Sequence, residues 1–506
     1  MKPKIALVEA PAVRIVDGSG KDHHMVRTKE ATGKHFLGAS LLAGGFEVEI
    51  MDMRRPNVEW GYEQVEWAGR TMTSLAKGLK LTDLEPKAFD VWGLTCNYQI
   101  QQTLVCELVK YISPHRPVVV GGVDASLQPE PYLAAGATLV VHTRDGAANL
   151  AAVDFALGRQ PRVPLNGVIL KDGTSLKQTS FLHPELWPLS PIELIKSTLG
   201  YEYWEGEYNV WPLSHLNIYP QATWLGDYGC DRGCDFCGTP LFWKNAKLGA
   251  GGRRELSNIY KYMSPERVLA WVRLLKEAGA KSIISLSDQF LGRVLFGEEG
   301  RKEAMAICQG FRDLGLSFYW PNGSNELQKM TRGHGLSKDT TPDEELIHAL
   351  YDWNGVKGCF HAYIPAERPV EGKEAYAKLL PLNTHKEVVR QIVRAGTPSL
   401  TYGCIIGLKD DGAKEMQALY DYVLWFKEEL KSINPKLIFW LAPFCIRPIP
   451  GTGQYLTLEK HRLLHPHPTM RGAYGTPMPT IHLRAEEIAE WQQRFLDLSD
   501  EPKWQW

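Results

Sequence analysis

Short apolar runs and helical periods alternate along the first third of the chain. KIALVE (4–9), FDVWGLTCN (89–97), PVVVGG (117–122) and ATLVVHT (137–143) read as strands. FEVEIMD (46–52) alternates apolar and polar positions, as a half-buried strand does. FLGASLLAGG (36–45) has a helical pattern that stops at glycine, and QTLVCELVKYI (102–112) repeats apolar residues at helical spacing. Strands alternating with helices predict a parallel, doubly wound α/β sheet that takes ligands at its strand ends. The stretch between 52 and 89 is polar with tryptophans, and Asp22-His23-His24 reads as a polar loop.

The pattern breaks near residue 160. Residues 161–220 are rich in proline and aromatic residues, show no clear period and are expected to form a linker. Alternation resumes at 221 with ATWLGDYG, KSIISLSD (281–288), LSFYWPNG (316–323), GCFHAYIP (358–365), SLTYGCIIG (399–407) and KLIFWLAPF (436–444). Helical stretches such as SPERVLAWVRLLKEAG (264–279) and HKEVVRQIVRAG (385–396) separate them. Six such units predict a partial (β/α)6 barrel with its site at the C-terminal strand ends. The expected division is a Rossmann-like domain over 1–160, the linker over 161–220, the barrel over 221–455 and an extension over 456–506. That extension carries a solvated, His-containing loop (HRLLHPHP) and one amphipathic helix (AEEIAEWQQRFLDL).

Composition narrows the function classes. The 506 residues are 44% hydrophobic and 23% charged, an ordinary balance for two or three packed domains. Net charge is -1 and Lys and Arg are scattered, so nucleic acid is not expected as a partner. The apolar run at the N-terminus contains Glu9 and lacks the pattern of a signal peptide. No apolar run is long enough to cross a membrane, and a cytoplasmic location without membrane contact is expected.

Nine cysteines are present, and three of them lie within eight residues: Cys230-Asp-Arg-Gly-Cys234-Asp-Phe-Cys237. Three thiolates from one short loop can each hold one iron of a [4Fe–4S] cube and leave the fourth iron open to a small chelating ligand. Gly233 and Gly238 let the backbone wrap closely. Zinc is the alternative, but it wants a fourth Cys or His at matching spacing, and no second Cys-x2-Cys knuckle exists. Cys96, Cys359, Cys404 and Cys445 fall at or near strand ends and read as small buried hydrophobes. Cys445 stands nearest the expected barrel mouth.

The Cys-x3-Cys-x2-Cys spacing, with Phe236 before the last cysteine, resembles the radical S-adenosylmethionine (SAM) superfamily. SLSDQF (285–290), AYIPAE (362–367), GCIIGL (403–408) and RPIPGT (447–452) are similar, in order, to later strand segments of its cobalamin-type members. The resemblance covers about 220–455. It implies that Cys230, Cys234 and Cys237 hold the cluster and that SAM binds the open iron. Phe236 and Gly238 would then lie near the adenine, and Asp288, Gln289, Ser324 and Glu367 would reach the polar groups of SAM. The other reading of Asp288 and Glu367 is that they stabilise strand ends.

LGASLLAGGFEVEIMD (37–52) and VVVGGVDASLQPEPYLAAGATLVVHTRDG (118–146) resemble the cobalamin-binding domain that precedes many radical SAM domains. The resemblance implies that the nucleotide tail of cobalamin passes Gly121 and Gly122, that Ser126 hydrogen-bonds to it, and that Thr95-Cys96-Asn97 lies beneath the corrin. The Asp-x-His-x-x-Gly motif that offers a histidine to cobalt is absent, and Thr143-Arg144-Asp145 replaces the usual glycine and glutamate after the last strand. A flavodoxin-like domain without cobalamin is the alternative.

Taken together, the resemblance implies a cobalamin-dependent radical SAM methyltransferase. It would act on an unactivated carbon of a small-molecule, natural-product type substrate, through a 5′-deoxyadenosyl radical and methylcobalamin. It would draw electrons from an external one-electron reductant of the flavodoxin or ferredoxin type. The alternatives are the same cofactors used for rearrangement, cyclisation or atom exchange, and a cobalamin- or redox-sensing binding protein with a structural cluster. No individual catalytic residue follows from the sequence.

Overall fold

The computed structural model describes residues 2–24, 32–55, 58–142, 146–176, 183–198, 213, 216–242, 260–321, 326–332, 340–370 and 380–500. The chain forms two compact units, Met1–Trp204 with Arg447–Thr476, and Glu205–Ile446 with Pro477–Gln505.

The first unit is built on a seven-stranded sheet. Five parallel strands lie in the spatial order Glu47–Asp52, Lys4–Glu9, Val91–Thr95, Val118–Gly121, Leu139–Val141. In chain order this is 2-1-3-4-5, the flavodoxin-like winding, whose direction reverses between the first and third strands. The alternating strand residues divide between two cores. Ala6, Val8, Trp92, Leu94, Val118 and Val120 pack with the helix Gln102–Ile112 on one face. Ile5, Leu7, Val91, Val119 and Leu139 pack on the other, with Leu41 of the helix Thr32–Ala43 and with Ala152 and Val153 of the helix Gly146–Ala156. Strands buried on both faces must be apolar throughout, which is why these runs carry little alternation.

The sequence expectations need correction in three places. The stretch expected to be a linker contributes Val168–Leu170 to the sheet, antiparallel to Leu139–Val141, and Ser175–Leu176 to its edge, antiparallel to Val168–Leu170. These strands are short, and their pairing is decided by the neighbouring edge. The polar stretch before residue 89 forms Glu59–Trp67 and Arg70–Lys77, which join Ala12–Asp17 and Asp22–His24 in a four-stranded antiparallel sheet. Asp22-His23-His24 is therefore strand and not loop, and His23 Nε2 lies 2.9 Å from Asp17 Oδ2.

The third correction concerns the end of the chain, which divides between the units instead of forming one extension. In the first unit, Gln99 Nε2 donates to the Pro448 carbonyl (3.2 Å) and His467 Nε2 lies 3.0 Å from Glu63 Oε1. Thr469 Oγ1 donates to Glu63 Oε2, and His465 Nε2 contacts the Glu66 carbonyl. The histidine loop is clasped to the antiparallel sheet and is not simply solvated. The helix Ala485–Leu496 belongs to the second unit, where it packs on the sixth strand of the barrel.

The second unit has six parallel strands in chain order: Gln221–Trp224, Ser282–Ser285, Ser317–Trp320, Cys359–Glu367, Ser399–Ile406 and Ile438–Cys445. This is the expected partial (β/α)6 barrel. One face of its wall is aromatic. Trp224 and Phe318 pack against Phe311 of the helix Glu298–Asp313, and Phe290 stacks on Trp320. The alternate residues are polar and satisfy one another. Gln221 Nε2 donates to Ser282 Oγ (3.1 Å), and the buried His361 ring contacts Ser399 Oγ (2.5 Å) and Thr401 Oγ1 (2.9 Å). Among the described residues no helix is long and apolar enough to cross a membrane.

Candidate functional site

The cysteine loop begins where the first barrel strand ends. Asp227–Tyr228 pairs antiparallel with Lys261–Tyr262, and Gly229, at φ +108°, turns the chain into Cys230. A side chain rarely adopts that backbone conformation. The turn is pinned across the barrel, since Gly229 N donates to Asp288 Oδ2 (3.0 Å) just past the second strand. Cys230, Cys234 and Cys237 are all half-buried. Arg232 N donates to Cys230 Sγ (3.4 Å) and Cys237 N to the Cys234 carbonyl (3.2 Å). Burial raises the Cys230 thiol well above its ordinary range; Glu326 adds to this and Lys329 opposes it. The loop thus offers three thiols at the mouth of the barrel.

Two charged pairs fasten the loop. Arg232 Nε donates to Glu326 Oε2 at 2.9 Å, and Glu326 is 1% exposed. The Lys329 ammonium, also 1% exposed, donates to Asp231 Oδ1 (2.9 Å), Tyr260 Oη (2.8 Å) and Gln289 Oε1 (3.1 Å), with Glu326 Oε2 at 3.3 Å. Its three hydrogens are matched by three acceptors. Tyr260 Oη in turn donates to Asp231 Oδ1 (2.6 Å). Beneath the loop the buried Asp227 accepts from Gln289 N (3.2 Å). Burial pushes its carboxyl up to about 6, against the pull of Arg293, which is itself buried between the Tyr262 and Phe290 rings.

The residues that the sequence singled out stand as follows. Asp288 and Gln289, both expected near SAM, are engaged with the cysteine loop through Gly229 and Lys329. Phe236 lies in the turn between Cys234 and Cys237. The Gly238 carbonyl accepts from Leu241 N (3.0 Å), within the short helix Thr239–Phe242. Glu367 ends the fourth strand after a register shift at Pro365, with φ at +58°. Ser324 lies outside the described residues. Cys359 and Cys404 are buried in the barrel wall, and Cys445 ends the sixth strand. Tyr260, Glu326 and Lys329 escaped the sequence reading. The only trace there was the i, i+3 spacing of Glu326 and Lys329, which is common on any surface.

The donor set suits a cube: three cysteines of one loop supply a thiolate for each of three irons, and the loop brings no fourth Cys or His, which a structural zinc would need.

In the first unit the expected cobalamin residues gather at the strand ends beside the switch in strand order. Thr95 ends the third strand, and the exposed Asn97 accepts from Val123 N (3.2 Å) through Oδ1. Gly122 has φ +106°, and a Cβ there would stand 2.3 Å from the Cys96 carbonyl oxygen. At Gly121 a side chain would begin in ordinary contact with the Val141 carbonyl oxygen, 3.9 Å away. Ser126 Oγ donates to the Gly122 carbonyl (2.7 Å), with the Val141 carbonyl at 3.3 Å, so its proton is committed within the protein and it can serve a further ligand only as an acceptor. The Cys96 thiol is fully buried in the core, so what this residue can offer a ligand is backbone. Asp124 locks the loop from behind, accepting from Gln102, Gln128 and Tyr132.

Beside this loop, Tyr98 is 58% exposed, with Glu9 and Arg447 the charged groups that act on its phenol. Lys34 pairs with Glu9. Neither Tyr98 nor Arg447 stood out in the sequence. Thr143, Arg144 and Asp145 lie outside the described residues.

A strand order of 2-1-3-4-5 followed by an open six-stranded barrel is the fold of the cobalamin-dependent radical SAM enzymes. One neighbour is the cobalamin-dependent SAM radical enzyme OxsB, solved with aqua-cobalamin and SAM bound. The similarity has a TM-score of 0.62 at 13% identity and covers 98% of this chain and 67% of that one. Another is the radical SAM methyltransferase TsrM from Kitasatospora setae, solved with cobalamin and a [4Fe-4S] cluster (TM-score 0.55, 14% identity, 98% of this chain and 86% of that one). A second TsrM structure, with tryptophan substrate and a SAM analogue, matches at TM-score 0.55 and 12% identity over 91% of this chain and 76% of that one. No family model and no curated protein matches the chain.

Proposed function

We propose that this chain is a cobalamin-dependent radical SAM enzyme that methylates an unactivated carbon of a small molecule. The observation that carries the reading is the position of Cys230, Cys234 and Cys237. They stand at the C-terminal end of the first barrel strand, in a chain whose flavodoxin-like unit and barrel together follow OxsB and TsrM over 98% of its length. When bound, the cluster and SAM would supply a 5′-deoxyadenosyl radical, and cobalamin a methyl donor.

The chain's own part is to position. The three cysteines would hold the cluster, with Asp288, Lys329 and Tyr260 fixing their loop. Phe236, Gly238, Asp288, Gln289, Ser324 and Glu367 are the proposed SAM contacts. Thr95, Asn97, Gly121, Gly122, Ser126 and the Cys96 backbone are the proposed cobalamin contacts. An external one-electron donor of the flavodoxin or ferredoxin type would supply electrons. The proposed setting is the cytoplasm, without nucleic acid or membrane as partner.

The test is anaerobic turnover with SAM bearing a CD3 methyl group and a library of candidate substrates. Product should gain the CD3 label, with 5′-deoxyadenosine and S-adenosylhomocysteine formed in about equal amounts. Deoxyadenosine with an unmethylated, rearranged product would move the chain to a rearranging or cyclising enzyme. Protein that binds both cofactors but never cleaves SAM would fit a sensor instead. Cobalamin bound as Co(II) should show no nitrogen splitting from a protein imidazole in its electron paramagnetic resonance (EPR) spectrum.

A further inference from the structure

Lys329 is the one ammonium that the described network places at the centre of the cysteine loop. It is almost wholly buried, it follows the third barrel strand, and it reaches three separate segments: Asp231 in the loop, Tyr260 after the loop and Gln289 after the second strand. The ammonium is 2.9 Å from the carboxylate that directly follows Cys230. A buried lysine is costly, because the charge leaves water, and it is tolerated only where paired and hydrogen-bonded. The pairing here has a specific address. Asp231 and Arg232 are both loop residues, and both are answered by the 326–329 segment. The four charges of these two pairs balance one another.

We infer that Lys329 is a positioning residue for the cluster, which fixes the cysteine loop and sets the ease of cluster reduction through its buried positive charge. The inference rests on the proposed cluster at Cys230, Cys234 and Cys237. The reduction concerned takes one electron from the external donor; no bond forms or breaks, no proton moves, and the cluster gains one negative charge. A fixed positive charge in a site of low dielectric stabilises the more negative state. Lys329 already acts electrostatically on the Cys230 thiol, and a neighbouring opposite charge shifts a charging equilibrium by roughly tenfold or more; about tenfold is expected here, since Asp231 and Glu326 share the ammonium.

The test uses the full chain, reconstituted anaerobically with iron and sulfide, and an EPR-monitored redox titration, which reads only the clusters present. Lys329→Met should make reduction at least about tenfold less favourable, about 59 mV more negative for one electron. Lys329→Arg keeps the charge and should stay within about threefold of wild type. Lys329→Met with an unchanged midpoint overturns the inference. Should Lys329→Met take up no cluster, retention in Lys329→Arg supports the role of the charge, and loss from both variants overturns it. Wild-type protein that binds no iron would instead remove the cluster reading itself.

Discussion

The cysteine loop and the glycine loop both stand at the C-terminal ends of parallel strands, but they are held by different means. Around Cys230 to Cys237 the backbone is tied by side chains from three neighbouring segments: Asp288 on Gly229, Lys329 and Tyr260 on Asp231, and Glu326 on Arg232. Around Gly121 and Gly122 the loop is held mainly by its own backbone and a compact local set. Cys96 N donates to the Gly121 carbonyl, Ser126 donates to the Gly122 carbonyl, and Asp124 anchors the following helix from the core. On the proposed reading, the first design would keep three thiols fixed for a small, highly charged inorganic group, and the second would clear side chains away so that a long organic tail could pass the backbone. A loop that must coordinate needs external bracing, while a loop that must make room needs glycine.

The comparison breaks first on the cysteines. Replacing Cys230, Cys234 and Cys237 together by alanine should lower iron from about four atoms per chain to none. Corrinoid binding should change less than threefold, as measured by iron analysis and by retention of cobalamin on desalting. Full iron content in that variant would refute the ligand assignment.

The reciprocal change is Gly122→Val. The φ of +106° and the Cys96 carbonyl at 2.3 Å leave no place for the side chain. A cost of about 3 kcal/mol is expected in the first unit from strain and overpacking. Corrinoid binding should weaken at least about tenfold while iron uptake is kept. Equal loss of both cofactors would mean that the two loops are not independent.

Asp227 separates the loops by pH. Its folded carboxyl is raised from 3.8 to about 6, chiefly by burial. Between those values the folded state holds more protons than the unfolded one. Its contribution is therefore complete below about pH 4 and is lost as pH rises through about 6, up to about 3 kcal/mol. Chemical denaturation of wild type and Asp227→Asn across pH 4–7 should differ in slope over that window. Parallel curves would show that Asp227 does not titrate there.

The smallest effect is expected at Ser126→Ala. The hydroxyl proton is already donated within the backbone turn, so corrinoid affinity measured by equilibrium dialysis should change less than about threefold. A tenfold loss would make Ser126 a major contact of the tail and not a minor one.

What the sequence determined is the set of features carried by local chemistry. Apolar runs such as 4–9 and 117–122, buried on both faces, could only be strands of a covered parallel sheet. The spacing of three cysteines within eight residues dictates a common loop whatever surrounds it. The glycine pair at 121–122 marks a turn by the same local logic. Tertiary structure decided the rest, because each remaining feature depends on a partner distant in the chain. The strands at 59–67 and 70–77 pair with each other as a hairpin, and their place in the sheet is set by the pairing of 70–77 with residues 12–17. The clasp of His467 on Glu63 spans more than four hundred positions and has no signature at either end. Lys329, almost a hundred residues beyond Asp231, reads as an ordinary surface lysine until the third barrel strand carries it under the cysteine loop. Charge and hydrogen bonding act through space at a few ångströms, so a residue's role in such a network is fixed by the neighbours that the fold brings to it.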